Sequence, residues 1–493
     1  MITKKYLTKT TFLKGAQCAK LLWYFCNDKA QLAENSNEQS AFDQGLMVGQ
    51  YAKQMFPDGI EINWENGFDN GIAETQKFSN SCKALFEPGF VFGNGFARND
   101  ILAPVKSGKF DIIEVKSANA VKDIHIFDVA FQRYCCEGAG IKINKCFIMH
   151  INKNYERCGE LDINNLFVKI DITKKVAEIM AEIEKMIMDF STIMNQKKTP
   201  RIECGDHCFF PYHCPLYSKL CDEYAGKNYS IFQLRRAKKK AYEFIRDGIF
   251  ELANIPASVE LNKTHKIQVQ TAQTCQPHID KPALKKFLNK LEFPLYILDF
   301  ETFSTAVPLF DKIKPYVQVT FQYSLHIVNE LNSAPQHFEY LASGDGDPRI
   351  EIMESLYKLI GNKGSIMAYN MSFEKLRLKE NAHAYPKFKN WVNSILPRFV
   401  DLFAPFNSFH YYHPAQKGSA SVKAVLPALT GKSYSGLEIS NGLFASNEYM
   451  RIAFTEVAEA DKNKTRRNLL EYCKLDTEGL IHILRELETL TIT

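Results

Sequence analysis

The segment YILDFETFST, residues 296–305, reads as a strand that has to be buried, yet it carries two acids. Alternate side chains of an extended chain share a face, so Tyr296, Leu298 and Phe300 take one side and Asp299 and Glu301 the other. The apolar side demands a covering layer. The acidic side demands a counter-charge, because neighbouring carboxylates repel and are costly to bury unpaired. A divalent cation meets that demand, whereas a strand end emerging into solvent avoids it. Further strand patterns (TFQYSLHIV, GSIMAYN) and helical patterns (IEIMESLYKLI, FEKLRLKENA, RRNLLEYCKLDTEGLIHILREL) give this part of the chain an α/β order.

The last of those helices bears on the choice. Its apolar stripe runs Leu469, Cys473, position 476, Leu480, Ile483 and Leu487, and position 476 is an aspartate. Tyr472 lies one turn before it on the same face. A Tyr and an Asp opening together onto the interior suggest a metal ligand with a hydroxyl beside it; the alternative is a single polar interruption on a half-exposed helix.

These features resemble the DnaQ-like, or DEDD, exonucleases, which have a ribonuclease H-like fold. Asp299 and Glu301 match their D-x-E, Asn370, Phe373 and Glu374 in YNMSFEKL their second motif, and Tyr472 and Asp476 their Y-x-x-x-D. Glu374 departs from the family's Asp by one methylene. The resemblance, over roughly residues 293–490, implies metal ligation by Asp299, Glu301, Glu374 and Asp476, water orientation by Tyr472 and contact of Asn370 with nucleic acid. It also implies two-metal hydrolysis with Mg²⁺ or Mn²⁺ that releases nucleoside monophosphates from a 3′ end. Asp401 in RFVDLFAPF is either a further acid near the site or a structural cap.

A second constellation lies far upstream. GFARNDILAPVKSGKFDIIEVKSA reads as two strands joined by a turn, with Glu114 and Lys116 on one face of the second and Asp100 ending the first beside them. Two carboxylates with a lysine can chelate Mg²⁺ or Mn²⁺ and hold a phosphate, or they can form a surface salt-bridge ladder. The hairpin resembles the PD-(D/E)XK nuclease core, in particular RecB-type iron–sulfur nucleases, over about residues 7–225. That resemblance implies a catalytic group of Asp100, Glu114, Lys116 and Gln132, with Tyr134 beside it in FDVAFQRYCCEG. Gly49 stands where the family carries a histidine, and Glu87 is a substitute acid.

The chain has thirteen cysteines. Cys18 precedes a cluster in ECGDHCFFPYHCPLYSKLC that contains Cys204, Cys208, Cys214 and Cys221. In the resembling nucleases one N-terminal and three C-terminal cysteines hold a four-iron cluster, which assigns Cys18, Cys208, Cys214 and Cys221 as ligands of a 4Fe-4S cluster. The spacing departs from the family's, so Cys204 can replace one of these ligands, and Zn²⁺ is the alternative metal, with His207 or His213 completing a mixed site.

At 493 residues the chain exceeds one ordinary core. The expected fold is α/β, with a PD-(D/E)XK restriction-endonuclease-like domain at 1–228, a basic helical connector at 229–290 and a ribonuclease H-like domain at 291–493. The net charge of +5 demands no acidic partner, so a nucleic-acid surface has to be local. The expected surface is the connector, where Arg235, Arg236, Lys238, Lys239 and Lys240 would lie around one helix. No stretch has the length of a signal peptide or spanning helix, so the expected location is cytoplasmic. The expected function is metal-dependent hydrolysis of DNA at single-stranded ends by two sites; an RNA exonuclease and a nucleic-acid-binding scaffold with one or both sites inactive are the alternatives. The whole layout also resembles an uncharacterised bacterial family classed under a domain of unknown function.

Overall fold

The structure is a computed structural model that describes residues 5–32, 36–217 and 229–492, without the side chains of residues 36–41 and of Lys238. It divides into two compact units, Met1–Glu223 with Thr305–Tyr316, and Tyr224–Ser304 with Val317–Thr493.

The first unit is built on a six-stranded sheet in the order Ile60–Glu61, Leu85–Phe86, β1 (Ile101–Val105), β2 (Lys109–Lys116), β3 (Ile143–Ile151) and Phe167–Asp171. The three-residue turn between β1 and β2 makes them an antiparallel pair, as the sequence suggests. β3 runs parallel to β2, which requires a crossover, and helix α2 (Asp123–Gly138) supplies it. Helix α1 (Lys9–Gln17) packs on α2 with the Phe12 and Phe131 rings 4.7 Å apart. A reciprocal cap between Thr8 and Thr11 sets where α1 begins, and thereby places Lys9 at its first position.

Thr305–Tyr316 belongs to this first unit, although the expected boundary put everything beyond 291 in the second. The reason is specific pairing. Arg157 Nη1 donates to the carbonyls of Pro308 and Leu309 at 3.0 and 2.9 Å, and Ala306 and Val307 enter the core that contains Ile113 and Met149.

In the second unit helix α3 (Lys281–Leu288) precedes a five-stranded sheet. Its strands are β4 (Leu295–Phe303), β5 (Val319–Val328), β6 (Gln336–Leu341), β7 (Ile366–Ala368) and β8 (Phe399–Asp401), in the order β6-β5-β4-β7-β8. β4 is central, antiparallel to β5 and parallel to β7. Tyr296, Leu298 and Phe300 pack with Ile352, Leu356 and Leu378 on one face. Leu295 and Ile297 pack on the other with Leu480, Ile483, Leu484 and Leu487 of α6 (Glu459–Ile492), a 34-residue helix about 50 Å long. The strand parity therefore aims Asp299 and Glu301 at the face that α6 covers.

The stretch 229–290 packs within this unit around Ile231, Leu234, Ala241, Phe244 and Leu252. It is not one basic helix. Ser230 caps a single turn, Ile231–Gln233, Arg236 adopts a left-handed φ of 55° that no helix continues through, and the helix runs Lys238–Arg246. Among the described residues no helix is long and apolar enough to cross a membrane.

Candidate metal centres

In the second unit the chain converges on one acidic pocket. Ligand atoms of Asp299, Glu301 and Cys473 lie within 4.8 Å of one another, the one such group among the described residues. Glu301 is 7 % exposed. Asp476 joins them from α6, and Glu374 from the first turn of helix α4 (Ser372–Ala384). Burial comes first in raising all four carboxyls. It acts with Asp476, Glu301 and Glu374 on Asp299, and with Asp476 and Glu374 on Glu301, which reaches about 8. Glu374 is also raised to about 8 and Asp476 to about 6.

The polar groups around them are specific. Tyr434 donates to Asp476 Oδ1 at 2.6 Å, and Lys423 Nζ, from α5 (Val422–Thr430), donates to Tyr472 Oη at 3.0 Å. The Cys473 thiol donates to Asp299 Oδ2 at 3.7 Å, and burial beside three carboxylates keeps it protonated. Glu374 is 2 % exposed and its Oε2 has no hydrogen-bond partner among the described residues. A buried carboxylate oxygen without a donor is an acceptor that a cation would satisfy, although the Arg377 guanidinium already lowers the cost of its charge. The carboxylates of Asp299 and Glu301 suit a hard cation such as Mg²⁺ or Mn²⁺, whereas Glu374 and Asp476 lie outside the group whose ligand atoms come within 4.8 Å of one another.

Asp401 has a structural role. Its Oδ1 accepts the backbone N–H groups of Asn370 and Phe403 at 2.8 and 3.0 Å, which holds the turn that starts α4. Asn370 itself is exposed, has a left-handed φ of 72° and accepts from Ser372 Oγ at 2.8 Å. Lys423 and Tyr434 carried no signal in the sequence, because only tertiary packing brings their segments to α6.

The first unit gathers Asp100, Glu114, Lys116 and Gln132 as expected, and adds two residues. Asp100 precedes β1 instead of ending it, and its Oδ2 accepts Val115 N–H at 2.7 Å. Lys116 Nζ bridges Glu114 Oε1 and Asp128 Oδ2, both at 2.6 Å, while Gln132 Nε2 donates to Glu114 Oε2 at 2.6 Å and Asp128 Oδ1 at 2.9 Å. Asp128 and Gln132 are four apart on a buried face of α2, a polar pair whose helical spacing was visible in the sequence. Lys9 was not foreseeable: its Nζ lies 2.7 Å from Glu114, 3.6 Å from Asp100 and 4.0 Å from Asp128. Burial pushes Asp100 up to about 7, with help from Glu114, and raises Asp128 for the same reasons. Burial acts upward on Glu114 too, but the ammoniums of Lys116 and Lys9 overcome it and hold this carboxyl well below the usual range.

Tyr134 is not part of this group. Two positions from Gln132 on a helix, it turns to another side and packs on Phe92, ring centroids 5.1 Å apart. Glu87 pairs with Arg98 at 2.9 Å and lines, with Thr8, Lys9, Thr10, Phe96, Arg98 and Asp100, a cavity of about 390 Å³. Gly49 lies on the helix Ser36–Lys53, where an added Cβ would meet nothing within 4 Å.

Cys18, Cys204, Cys208 and Cys214 pack into one cluster with Leu21, Leu216 and Tyr217. Gln17 Nε2 ties α1 to this segment by donating to the carbonyls of His207 and Tyr212 at 2.9 and 2.6 Å. Cys221 lies outside the described residues, and Cys204 is among the described cysteines of this cluster.

The basic connector is corrected in part. Arg235 donates from Nη2 to Asn407 Oδ1 at 2.5 Å and stacks its guanidinium over Phe409, so it is an internal tie. Lys240 Nζ donates to the Glu260 carbonyl at 2.7 Å. Arg236 and Lys239 are exposed, and the Lys238 side chain lies outside the described residues.

Residues 296–421 match a family described as "Domain of unknown function (DUF2779)", a stretch that contains Asp299, Glu301 and Glu374 but stops short of Lys423, Tyr434, Tyr472 and Asp476. The chain is 27 % identical over 364 residues to "Uncharacterized protein MG366 homolog" of Mycoplasma pneumoniae, covering 63 % of this chain and 53 % of that protein. It is 26 % identical over 219 residues to "Uncharacterized protein MG366" of Mycoplasma genitalium, covering 40 % of this chain and 32 % of that one. "Uncharacterized protein UU173" of Ureaplasma parvum is 24 % identical over 355 residues, 64 % of this chain and 50 % of that protein. The chain thus spans about half, or less, of the length of these curated relatives. A solved structure titled "Crystal structure of SSO0001" aligns at 13 % identity over 45 % of this chain and 87 % of that one, with a TM-score of 0.23, and carries no argument about the fold. The expected resemblance to an uncharacterised family therefore holds over residues 296–421, and it brings no activity with it.

Proposed function

We propose that this chain is a metal-dependent phosphodiesterase that shortens single strands of nucleic acid, with DNA as the preferred polymer. The observation that carries the reading is the burial of Asp299 and Glu301 together on a central strand, with Asp476 and Glu374 from two helices close enough to raise the Asp299 carboxyl further. The strand order β6-β5-β4-β7-β8, with the D-x-E strand at its centre and the Tyr–Asp helix across it, supports a ribonuclease H-like arrangement.

Divalent ions held by these carboxylates would neutralise charge on a phosphodiester and lower the pKa of an attacking water. The chain's own groups supply the rest. Tyr434 and Tyr472 hydrogen-bond Asp476 and so orient its carboxylate. Lys423 holds the Tyr472 hydroxyl at the rim of the acidic group, where it can orient a water. The Asp100, Glu114 and Asp128 group of the first unit is a second candidate centre for the same chemistry. Cys18, Cys208 and Cys214, with Cys221 or Cys204 as the fourth ligand, would hold a structural four-iron cluster.

The test is incubation of the full chain with single-stranded DNA or RNA, labelled at either end, in Mg²⁺ or Mn²⁺. Mononucleotide release from a 3′ end, abolished by Asp299→Ala, is expected. No product from the wild type, or equal product from a joint Asp299→Ala and Asp100→Ala variant, overturns the reading.

A further inference from the structure

We infer that α3 and the turn after it form the surface that binds the phosphate backbone of the nucleic-acid strand, in place of the connector. The inference rests on the function proposed above, and it names where the substrate lies.

Residues 281–290 read KPALKKFLNK, with four lysines and no acid. That is a local charge of +4 in ten positions of a chain whose net charge is +5, matched in the sequence by the connector run 235–240, which carries +5. Packing dictates their direction. Leu284 and Phe287 are buried against Leu480, Ile483, Leu484 and Leu487 of α6, which leaves Lys281, Lys285, Lys286 and Lys290 exposed on the outer side. Pro282, Lys285, Lys286, Asn289 and Lys290 line a shallow, wide-open groove on this outer side. Among the described residues none of these four lysines has an ion-pair partner, and the adjacent Asp280 spends its carboxylate on the Ala283 N–H at 3.1 Å.

In the connector Arg235 is committed to Asn407 and Lys240 to the Glu260 carbonyl, which leaves Arg236 and Lys239 as its described exposed cations. α3 shares a rigid neighbour with the acidic pocket, the helix α6, and carries its lysines on the side away from that helix. Leu480 to Leu487, on which α3 packs, lie four to eleven residues beyond Asp476 on the same helix, about 6–17 Å along its axis. A strand whose end reaches Asp476 would meet these lysines with its trailing phosphates by passing over α3. Phosphates recognised by point charges leave the bases unread, so the surface would serve DNA and RNA alike.

The experiment measures binding of fluorescently labelled 20-nucleotide single-stranded DNA and RNA to the full chain in EDTA, over a range of salt. The comparison is with a Lys285→Glu, Lys286→Glu, Lys290→Glu variant, a milder triple Gln variant, and an Arg236→Gln, Lys239→Gln control. Loss of three phosphate contacts lowers the salt slope by about 2 and weakens binding roughly a hundredfold at 0.1 M salt. Unchanged affinity and slope in both groove variants, a larger loss in the connector control, or no binding of either polymer by the wild type overturns the inference. Because EDTA removes catalysis from the readout, binding lost in the groove variants of a protein that hydrolyses nothing refutes the nuclease reading alone.

Discussion

Raising the pH of the metal-free protein from about 6 to about 8 should destabilise the second unit, and the acidic pocket sets the size of the effect. Glu301 and Glu374 are pushed from an ordinary 4.5 up to about 8, so in this window the folded chain keeps protons that the unfolded chain has released. Stability therefore falls as pH rises, by about 1.4 kcal/mol per pH unit for each retained proton. One such proton gives a loss of about 2 kcal/mol between pH 6 and 8, and two give about twice that. For a unit of this size each kcal/mol is worth roughly 2–4 °C in Tm. The assay is thermal unfolding in EDTA at several pH values, for wild type and for a Glu301→Gln, Glu374→Gln variant. Asp100, raised to about 7, adds a component of the same sign from the first unit, which the variant retains. The wild type should lose several degrees more than the variant, and millimolar Mn²⁺ should flatten its curve. Parallel curves for the two proteins in EDTA would refute the reasoning, since the carboxylates would then not share a repulsive pocket.

Three further outcomes are expected. Tyr472→Phe should lower kcat of the wild-type hydrolysis by about ten- to a hundredfold with little change in KM, as expected for a group that orients a water; steady-state kinetics on a labelled oligonucleotide checks it. Lys9→Met removes an ammonium 2.7 Å from Glu114, so it should lower the metal-free Tm yet raise Mn²⁺ affinity at the first-unit acids, read by calorimetry in an Asp299→Asn background. The affinity gain should be at least tenfold, because a unit charge about 4 Å from an incoming ion is worth about 4 kcal/mol at an effective dielectric of 20. Arg235→Ala should destabilise the second unit by about 1–3 kcal/mol through the lost Asn407 bonds, while Arg236→Ala should change stability by less than about 0.5 kcal/mol, both measured by denaturant unfolding.

The acids of both pockets were legible where the signal is local. A strand's period of two puts Asp299 with Glu301 and Glu114 with Lys116, and a helix's period of 3.6 puts Tyr472 with Asp476, whatever the rest of the chain does. The same rule applied to α2 picks out Asp128 with Gln132 and sends Tyr134 to another side. Charge alone was a poor guide. The run around Arg235 is as basic as the run 281–290, but Arg236's left-handed backbone breaks the first, and Asn407 and Glu260 take up two of its cations.

The sequence by itself determined which side chains share a face, because backbone geometry over a few residues decides it. It determined the order of the strand and helix patterns and the places where an acid interrupts an apolar stripe. Only the tertiary structure decided what those faces meet. Lys9 reaches Glu114 across 105 positions and Lys423 reaches Tyr472 across 49, contacts that packing of distant elements creates and that no local periodicity encodes. The tertiary structure likewise placed Thr305–Tyr316 in the first unit, since the partners that hold it, Arg157 and the Ile113 core, lie more than a hundred residues away in the chain.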